Sequence, residues 1–334
     1  MGARVLVFTP KRLTFVEADI EALAKRFDVD VMTFPANCGR LDELLRFGIR
    51  FLSRMLGCDL VFSWFADYSY WPVKAARFLG KKSVVVVGGY DVAAVPEIEY
   101  GALLDARKAS RVCYVLERAD RVLVVDPELK DDAVRLLGVD GSNFEYVPTG
   151  YDPSRFFPLG EKEDIVLTVA SASELSRARV KGVDAFIDAA RLMAPYKFVM
   201  VGLSGQALEF FSSQAPKNVE FIAPLNQAEL LKYYQRAKVY CQLSIREGLP
   251  NALCEAMLCE CVPVGTNVQG VRTAMNGIGY LVPRGDPASA SAAIKAALDS
   301  TDGPKARKSM KDRFPLTKRE AQLWGLVDEL VRTT

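Results

Sequence analysis

The sequence predicts an α/β protein with two doubly wound parallel sheets. Short apolar runs rich in β-branched residues alternate with segments of helical spacing along the chain, which is the pattern of βα units. A run rich in proline, glycine and charge, 149–164, interrupts this pattern before it restarts. The length of 334 residues also favours two domains. We predict domains at 1–152 and 153–314, with 315–334 docking on the first.

The first domain is predicted to contain six strands, each a short apolar run. They lie at 3–8, 28–34, 59–64, 83–87, 121–125 and 144–147. Between the first two, Val16, Ile20 and Leu23 have helical spacing. Another helix is predicted to start at Pro127, because proline is favoured at the first helical position and Glu128 then lies in the first turn.

The second domain is predicted to contain five strands with helices between them. The strands lie at 165–170, 197–202, 219–223, 238–244 and 262–265, and the helices near 181–193, 226–236, 250–259 and 286–299. The last segment, 316–332, is predicted as an amphipathic helix that needs a surface to dock on. Ligands of open α/β sheets bind at the carboxyl ends of strands, so we expect a ligand cleft between the domains.

Composition and charge exclude several classes of function. With 43 basic and 41 acidic residues, the net charge of +2 gives no argument for a nucleic-acid partner. The seven cysteines, Cys38 among them, lie mostly in apolar runs without a C-x-x-C pair, which indicates buried thiols in a reducing, cytoplasmic compartment. Cys254, Cys259 and Cys261 lack a fourth ligand nearby, so we predict core packing rather than a metal site. No apolar run is long enough to span a membrane.

The stretch EGLPNALCEAMLCECVPVG, 247–265, places two carboxylates around a turn. Leu249 precedes a proline and therefore disfavours helix, so we predict that a helix starts at Pro250. The chain contains no histidine, so any acid/base chemistry has to use other groups.

Two interpretations of these carboxylates follow from the residues alone. Glu247 lies in a loop after a strand, and Glu255 shares a helical face with Asn251 four residues earlier. Gly248 allows a ligand close to the backbone, and the free N–H groups of the helix start attract anions. The glutamates could equally be partners of the helix dipole or solvated residues, and chemistry alone leaves both interpretations open.

The same stretch resembles the Glu-x7-Glu signature of the retaining glycosyltransferases of family four. The resemblance includes Ser244 after the preceding apolar strand, the Gly-x-Pro-Asn turn, the Glu-Ala-Met helix, the Val-Pro-Val strand and the later stretch 277–294. It is strong in the second half of the chain and weaker in the first. The resemblance implies the GT-B fold, in which two Rossmann-like domains face a cleft, with a C-terminal helix that crosses back to the first domain.

The resemblance also implies a ligand for each residue of the signature. Glu255 would hold the ribose hydroxyls of a nucleotide sugar, and Glu247 would contact hydroxyls of the donor sugar. The backbone N–H groups of Gly248 and Leu249 would face the sugar and the diphosphate, with Asn251 among the substrate-binding residues. A carboxylate that accepts two neighbouring hydroxyl protons suits ribose, because charge-assisted hydrogen bonds are strong and directional.

Cations are expected beside the diphosphate, because this leaving group gains negative charge as its bond to the sugar breaks. Lys181 and Gly182 resemble the Lys-Gly element of the family, whose lysine contacts the diphosphate. The arginine that usually follows the preceding strand is replaced here by Ser171, which we retain as a substrate-binding candidate. Arg177 or Arg179 would take its place, and the sequence does not choose between them.

In the first domain, SVVVVGGYDVA, 83–93, resembles the strand and loop where many family members read His-Gly-x-Asp. Gly88 stands in place of that histidine, which commonly touches the donor sugar, and Asp91 remains. Transfer is still possible, because in a retaining front-face mechanism the departing phosphate oxygen can take the acceptor proton. We predict that Asp91 either positions the acceptor or sugar as part of the catalytic set, or caps a turn.

The resemblance therefore predicts a retaining, metal-independent glycosyltransferase that uses no cofactor. It would move a hexose-type sugar from a UDP- or GDP-sugar to a glycan or lipid-linked acceptor. The backbone near Ile222 would contact the base of the nucleotide. One alternative is a nucleotide-sugar-binding relative without catalysis, which the missing histidine and arginine favour and the retained acids and Lys181 disfavour. A nucleotide-sugar epimerase is the other alternative, and the absence of histidine disfavours it.

Residues 39–57 combine four arginines with an apolar surface that wraps nearly round a predicted helix. The arginines are Arg40, Arg46, Arg50 and Arg54. One interpretation is a helix in an anionic bilayer interface, which would place the protein at the inner face of the membrane. The other, slightly favoured, is a helix packed on its sheet with an arginine-lined outer face.

Overall fold

The computed structural model describes residues 2–34 and 41–332, so Cys38 and Arg40 lie outside the described residues. These residues form two compact units. The first comprises the described residues of Met1–Pro96, Gly101–Gly150 and Thr317–Thr334, and the second comprises Glu97–Tyr100 and Tyr151–Leu316. Each unit has its own six-stranded parallel sheet.

The sheet of the first unit has the strand order β2-β1-β3-β4-β5-β6. Its strands are β1 (Arg4–Thr9), β2 (Asp28–Thr33), β3 (Leu60–Trp64), β4 (Lys82–Val87), β5 (Arg121–Val124) and β6 (Phe144–Tyr146). The helices that connect them are α1 (Thr14–Ala24), α2 (Leu41–Gly57), α3 (Tyr70–Phe78), α4 (Ala106–Arg118) and α5 (Glu128–Leu137). The strand order reverses direction at β1, as in a doubly wound sheet, which confirms the predicted fold class.

The sheet of the second unit has the strand order β12-β11-β10-β7-β8-β9. Its strands are β7 (Glu163–Ala172), β8 (Lys197–Leu203), β9 (Val219–Ile222), β10 (Ala237–Gln242), β11 (Val262–Thr266) and β12 (Tyr280–Val282). Its helices are α6 (Leu175–Val180), α7 (Val183–Leu192), α8 (Gly205–Gln214), α9 (Gln227–Arg236), α10 (Asn251–Leu258), α11 (Gln269–Met275), α12 (Pro287–Asp299) and α13 (Gly303–Arg313). The chain then continues into α14 (Leu316–Arg332).

Several predicted boundaries differ from the structure. The helix predicted near 181–193 is α7, and it starts at Val183 because Gly182 is its N-cap, with a left-handed backbone at φ of 75°. The short helix α6 before it was not predicted. Pro250 does not start its helix as predicted: its ψ of 101° is extended, and it is the N-cap of α10. Pro127 is likewise the N-cap of α5 rather than its first residue. The segment predicted as a linker already enters β7 at Glu163.

Both sheets are covered by helices, and their central strands are buried on both faces. In β4, for example, Val84 to Val87 are fully buried, which explains why such strands read as continuous apolar runs in the sequence. Cys254, Cys259 and Cys261 are buried as well, which confirms their packing in the core. Burial raises the pKa of Cys254 to about 12. Within the described part of the chain, no helix is both long enough and apolar enough to cross a membrane.

Helix α14 is fixed to the first unit by a buried ion pair. The guanidinium of Arg319 donates to both carboxylate oxygens of Asp19, on α1, with Nη2 and Oδ2 separated by 2.6 Å. Nη1 donates to the carbonyls of Val147 and Pro148, each at 2.8 Å. The indole of Trp64 donates to the same carboxylate at 2.9 Å. The C-terminal helix therefore crosses back to the first sheet, as predicted.

Replacing Arg319 by alanine tests this attachment. We expect Arg319→Ala to lower the free energy of unfolding by about 3–5 kcal/mol, because Asp19 is left buried and charged without its partner. Urea denaturation followed by tryptophan fluorescence measures the change. Arg26→Ala is the matched control, since Arg26 pairs with Asp328 of the same helix at the surface and should cost about 1 kcal/mol or less. Equal losses in both variants would contradict the importance of the buried pair.

Candidate functional site

Most predicted site residues lie at the carboxyl ends of the strands in the second unit. Glu247 lies in the loop that follows β10, and Lys181 follows the short helix after β7. Ser171 is exposed near the end of β7, and Ile222 is the last residue of β9. Because all these strands are parallel, their carboxyl ends meet at one edge of the sheet, where ligands of such sheets bind.

Lys181 and Glu247 are in direct contact at this edge. The Nζ atom of Lys181 lies 2.8 Å from Oε1 and 3.0 Å from Oε2 of Glu247. The glutamate side chain is nearly buried, whereas the lysine is about one-third exposed. Two residues that the sequence placed in different motifs therefore form one charged pair.

Two glycines allow the loop after β10 to pack this closely on its neighbours. A Cβ atom on Gly182 would lie 1.9 Å from the carbonyl oxygen of Leu243, and one on Gly270 would lie 1.6 Å from that of Gly248. The N–H of Ile245 also donates to Val180 at 2.8 Å, just before the Lys-Gly turn. Only glycine fits such backbone contacts, so these two positions fix where the loop lies.

Buried polar side chains donate hydrogen bonds to the carboxylate of Glu247. Oε1 accepts hydrogen bonds from Ser244 Oγ at 2.8 Å and from Gln242 Nε2 at 3.1 Å. Tyr240 donates its hydroxyl to the side-chain oxygen of Gln242 at 3.2 Å. These residues alternate along β10 and the loop after it, which places them on one side of the strand. Sequence reasoning missed Tyr240 and Gln242, although polar residues at every second position of an apolar strand are a visible signal.

Glu255 is buried in α10 and has partners of its own. The hydroxyl of Tyr234 donates to Oε2 at 3.0 Å. Burial raises the pKa of Glu255 to about 7, against hydrogen bonds from Tyr234 and Gln227 and the charge of Arg155, which lower it. Arg155 in turn donates to the side chain of Gln227. Sequence reasoning missed these three partners, because they come from α9 and from the segment before β7.

Two tyrosine rings connect the surroundings of the two glutamates. The rings of Tyr234 and Tyr240 lie 6.1 Å apart in an edge-to-face arrangement. Burial raises the pKa of Tyr240 well above its usual value, and the charges of Glu247 and Glu255 raise it further. Both carboxylates therefore lie close enough to Tyr240 to raise its pKa. The two sets of hydrogen bonds, together called here the polar assembly, meet through the contact of these two rings.

The remaining residues of the predicted signature face the protein interior to different degrees. Gly248 and Leu249 are buried in the turn before α10. Asn251 is partly exposed and accepts a hydrogen bond from the hydroxyl of Tyr151 at 2.8 Å. The predicted contacts of the Gly248 and Leu249 N–H groups with a ligand stay a prediction.

The two candidate arginines both lie exposed on α6. The Nε atom of Arg179 is 3.8 Å from Oδ2 of Asp184, and its guanidinium lies 5.9 Å from the centre of the Phe210 ring. A diphosphate would compete with these contacts for Arg179. Arg177 and Arg179 therefore both stay candidates for the diphosphate.

In the first unit, Asp91 is completely buried beneath a turn. Its Oδ1 accepts from the N–H of Gly89 at 2.8 Å, and its Oδ2 from the N–H of Ala66 at 3.0 Å. Burial raises the pKa of Asp91, and the hydrogen bonds from these amides oppose the rise. The contacts match the turn-capping alternative. The positioning of an acceptor or sugar stays a prediction, and it would require Asp91 to become accessible, since its side chain is completely buried.

An aromatic ring fills the space beside Gly88. A Cβ atom on Gly88 would lie 2.9 Å from the edge of the Phe65 ring. Phe65 has a φ of 71°, a conformation that bulky residues rarely adopt. Asp67, two residues later, was not predicted as a site residue. Burial raises its pKa to about 7, and the charge of Asp91 adds to the rise.

Two family models match the chain. The model described as Glycosyltransferase Family 4 matches residues 1–155, and the model described as Glycosyl transferases group 1 matches residues 154–314. The chain belongs to the family-four glycosyltransferases. This confirms the resemblance, which the sequence shows strongly in its second half and more weakly in its first.

Solved structures similar to this glycosyltransferase cover nearly its whole length. Sucrose-phosphate synthase from Thermosynechococcus elongatus is 16% identical with a TM-score of 0.81, covering 99% of this chain and 100% of that one. Anabaena HepE in complex with UDP-glucose is 14% identical with a TM-score of 0.80, covering 98% and 100%. Trehalose 6-phosphate synthase from Burkholderia multivorans is 10% identical with a TM-score of 0.71, covering 100% and 98%. At these identities the likeness shows the GT-B fold. No curated protein sequence matches this glycosyltransferase.

A substitution at Gly182 tests the backbone contact beneath the Lys181–Glu247 pair. We expect Gly182→Ala to lower the free energy of unfolding by several kcal/mol more than Gly160→Ala. Both glycines have a positive φ, 75° and 70°, but only Gly182 has a carbonyl where the new Cβ would lie. The shared backbone strain of roughly 1–2 kcal/mol therefore cancels in the comparison. Thermal and urea unfolding of both variants measure the difference, and equal effects would contradict the close contact.

The raised pKa of Glu255 predicts a pH-dependent stability. The folded protein keeps this carboxyl protonated up to about pH 7, whereas the usual pKa of a glutamate is 4.5. The stability that the proton contributes is full below about pH 4.5 and is lost as the pH rises through about 7. Relative to the wild type, we expect the free energy of unfolding of Glu255→Gln to rise by up to about 3 kcal/mol across this range.

Urea denaturation at a series of pH values measures the gain of Glu255→Gln. Glu209→Gln, an exposed residue on α8, is the control and should follow the wild-type pH profile. A parallel profile for wild type and Glu255→Gln would show that the carboxyl is not perturbed.

Proposed function

We propose that this glycosyltransferase is a retaining enzyme that moves a hexose-type sugar from a UDP- or GDP-sugar to a glycan or lipid-linked acceptor. The observation that carries the proposal is the polar assembly of the second unit. It joins the Lys181–Glu247 pair to buried Glu255 through the Tyr234 and Tyr240 rings. One unit therefore offers a cation and two carboxylates at the sheet edge where a nucleotide is expected.

Glu255 is proposed to hold the ribose. Tyr234 donates to one of its oxygens, and each carboxylate oxygen accepts more than one hydrogen bond. Two neighbouring ribose hydroxyls can therefore donate to this carboxylate without displacing the tyrosine. Burial keeps Glu255 protonated up to about pH 7. Binding of a diol would favour the ionised form, because a carboxylate accepts stronger hydrogen bonds than a neutral carboxyl group.

Lys181 is proposed to bind the diphosphate. Its contact with Glu247 balances the charge of the two side chains. A diphosphate carries more negative charge than Glu247, so it competes for the ammonium. As the sugar–phosphate bond breaks, negative charge grows on the phosphate, and a fixed cation there stabilises the transition state more than the ground state. Arg177 or Arg179 supplies further positive charge, so the proposed reaction uses no metal ion.

Glu247 is proposed to orient the donor sugar rather than to remove a proton. Ser244 and Gln242 fix one of its oxygens, so its direction is set before the substrate arrives, as preorganised sites require. When the diphosphate takes Lys181, the carboxylate becomes available to sugar hydroxyls. The chain has no histidine, so we assign the acceptor proton to the departing phosphate oxygen on the retained face of the sugar.

Replacement of the two glutamates is predicted to affect different steps, nucleotide binding for Glu255 and sugar transfer for Glu247. We expect Glu255→Ala to weaken nucleotide binding about 10–100-fold, as loss of hydrogen bonds to a charged group does. Glu247→Ala should leave nucleotide affinity within a few fold and slow transfer by roughly 100-fold or more. Calorimetric titration with UDP and GDP measures binding, and nucleotide release measures transfer. The exposed-site variant Glu209→Gln is the control. Equal loss of nucleotide affinity in both variants would contradict the separate roles.

A panel of nucleotide sugars with glycan and lipid-linked acceptors tests the proposal as a whole. UDP-sugars are tried first, because the structure of HepE was solved with UDP-glucose. We expect nucleotide release that depends on the acceptor and a product with the anomeric configuration of the donor. Binding of a nucleotide sugar without release in any combination would instead identify a binding relative without catalysis, the alternative that the change at Gly88 favours.

A further inference from the structure

Helix α2 has two separate apolar faces. One face packs on the first sheet, where Phe47, Phe51 and Met55 join a cluster with Leu6 and Phe8. The other face, called here the α2 stripe, points to solvent. The α2 stripe consists of Leu45, Ile49, Leu52 and Leu56, which are 66%, 62%, 51% and 58% exposed. Their spacing of four, three and four residues places them in one line along the helix.

Two arginines run beside the α2 stripe. Arg46 and Arg50 each follow a stripe residue in sequence, and they are exposed. Arg46 lies 3.8 Å from Asp42, a surface pair of little strength. Arg54 differs, because it donates to the carbonyl of Val31 at 3.0 Å and lies 3.2 Å from Asp30. The outer face of α2 is therefore apolar along its centre, with Arg46 and Arg50 on one flank.

Helix α3 packs on the same apolar cluster and adds exposed aromatic rings. Ala75 and Leu79 contact the cluster that α2 covers. On its outer side, Phe78 is 89% exposed and Trp71 is 57% exposed. The ammonium of Lys74 lies 5.5 Å from the centre of the Trp71 ring. Tryptophan is enriched where proteins meet the membrane–water interface.

We propose that the α2 stripe, with Arg46 and Arg50, binds the surface of an anionic lipid bilayer. The apolar side chains insert at the level of the acyl chains, and the arginines contact lipid phosphates. A second copy of the chain is a poorer occupant, because a stable protein interface uses about 20–30 residues from each partner. The described residues of α2 and α3 offer far fewer.

The structure describes 41–57 of the segment 39–57, for which the sequence left two interpretations. The helix does pack on its sheet, as the favoured interpretation predicted, but its outer face is not simply lined with arginine. Because the packed face and the α2 stripe are different sides of one helix, the packing does not exclude the bilayer interpretation, which is the one proposed here. It does not depend on the proposed glycosyl transfer, so failure of either leaves the other standing.

Flotation of the full chain with vesicles tests the proposal. We expect binding to vesicles of equimolar phosphatidylglycerol and phosphatidylcholine, weaker binding in about 0.5 M salt, and little binding to phosphatidylcholine alone. Arg46→Gln/Arg50→Gln should weaken binding by about 30-fold. Ile49→Ser/Leu52→Ser should weaken it by at least about 100-fold. All four side chains are exposed, so the thermal unfolding midpoint should not change.

Two double variants in the second unit are matched controls. Leu159→Ser/Leu192→Ser removes equally exposed leucines, and Lys232→Gln/Lys295→Gln removes exposed charges; neither should change vesicle binding. No flotation with anionic vesicles, or undiminished binding of Ile49→Ser/Leu52→Ser, would overturn the proposal. It would equally be overturned if sedimentation equilibrium detected a dimer that Ile49→Ser/Leu52→Ser dissociates, because a second copy would then cover the α2 stripe.

Discussion

The backbone contact between Gly182 and Leu243 is the constraint on which the candidate site depends. The carbonyl of Leu243 occupies the space that a side chain at residue 182 would need. The turn before α7 and the loop after β10 are therefore in direct backbone contact. Lys181 precedes this contact and Glu247 follows it, and the two side chains therefore meet without a long reach. The chemistry of the pair rests on a contact that involves no charge. A glycine that looks like part of a phosphate-binding motif thus has a packing reason of its own.

Burial replaces histidine in this protein as the source of groups that titrate near neutrality. Glu255 and Asp67 both have a pKa raised to about 7, in each case chiefly by burial. In the second unit, the raised pKa arises beside neutral Tyr234, which donates a hydrogen bond to Glu255 without carrying charge. Ligand hydroxyls that donate to Glu255 would favour its ionised form, so ligand binding and proton release are coupled at this residue.

The sequence predicted those features that are written in local patterns. Buried strands read as apolar runs, and Lys181, Glu247 and Glu255 lie in recognisable motifs. The partners of these residues could not be predicted, because Tyr234 reaches Glu255 only through the packing of α9 against α10. Docking of the last helix followed from its amphipathic spacing, but nothing in the sequence pairs Arg319 with Asp19, 300 residues away. Local patterns thus give the elements and the candidate site residues, and tertiary packing gives their orientation.

Gly88 lies in a turn whose packing leaves no room for a side chain. The Phe65 ring lies where a side chain at residue 88 would go, and Phe65 adopts an unfavourable positive φ. Such strain persists only where the surroundings hold it, and here the buried carboxylate of Asp91 accepts hydrogen bonds from the amides of Ala66, which follows Phe65, and Gly89, which follows Gly88. A histidine could not be restored at residue 88 without moving Phe65. The first unit therefore has an apolar ring beside the position where the resemblance places a histidine, and the proposed release of the acceptor proton to the phosphate does not require a histidine there.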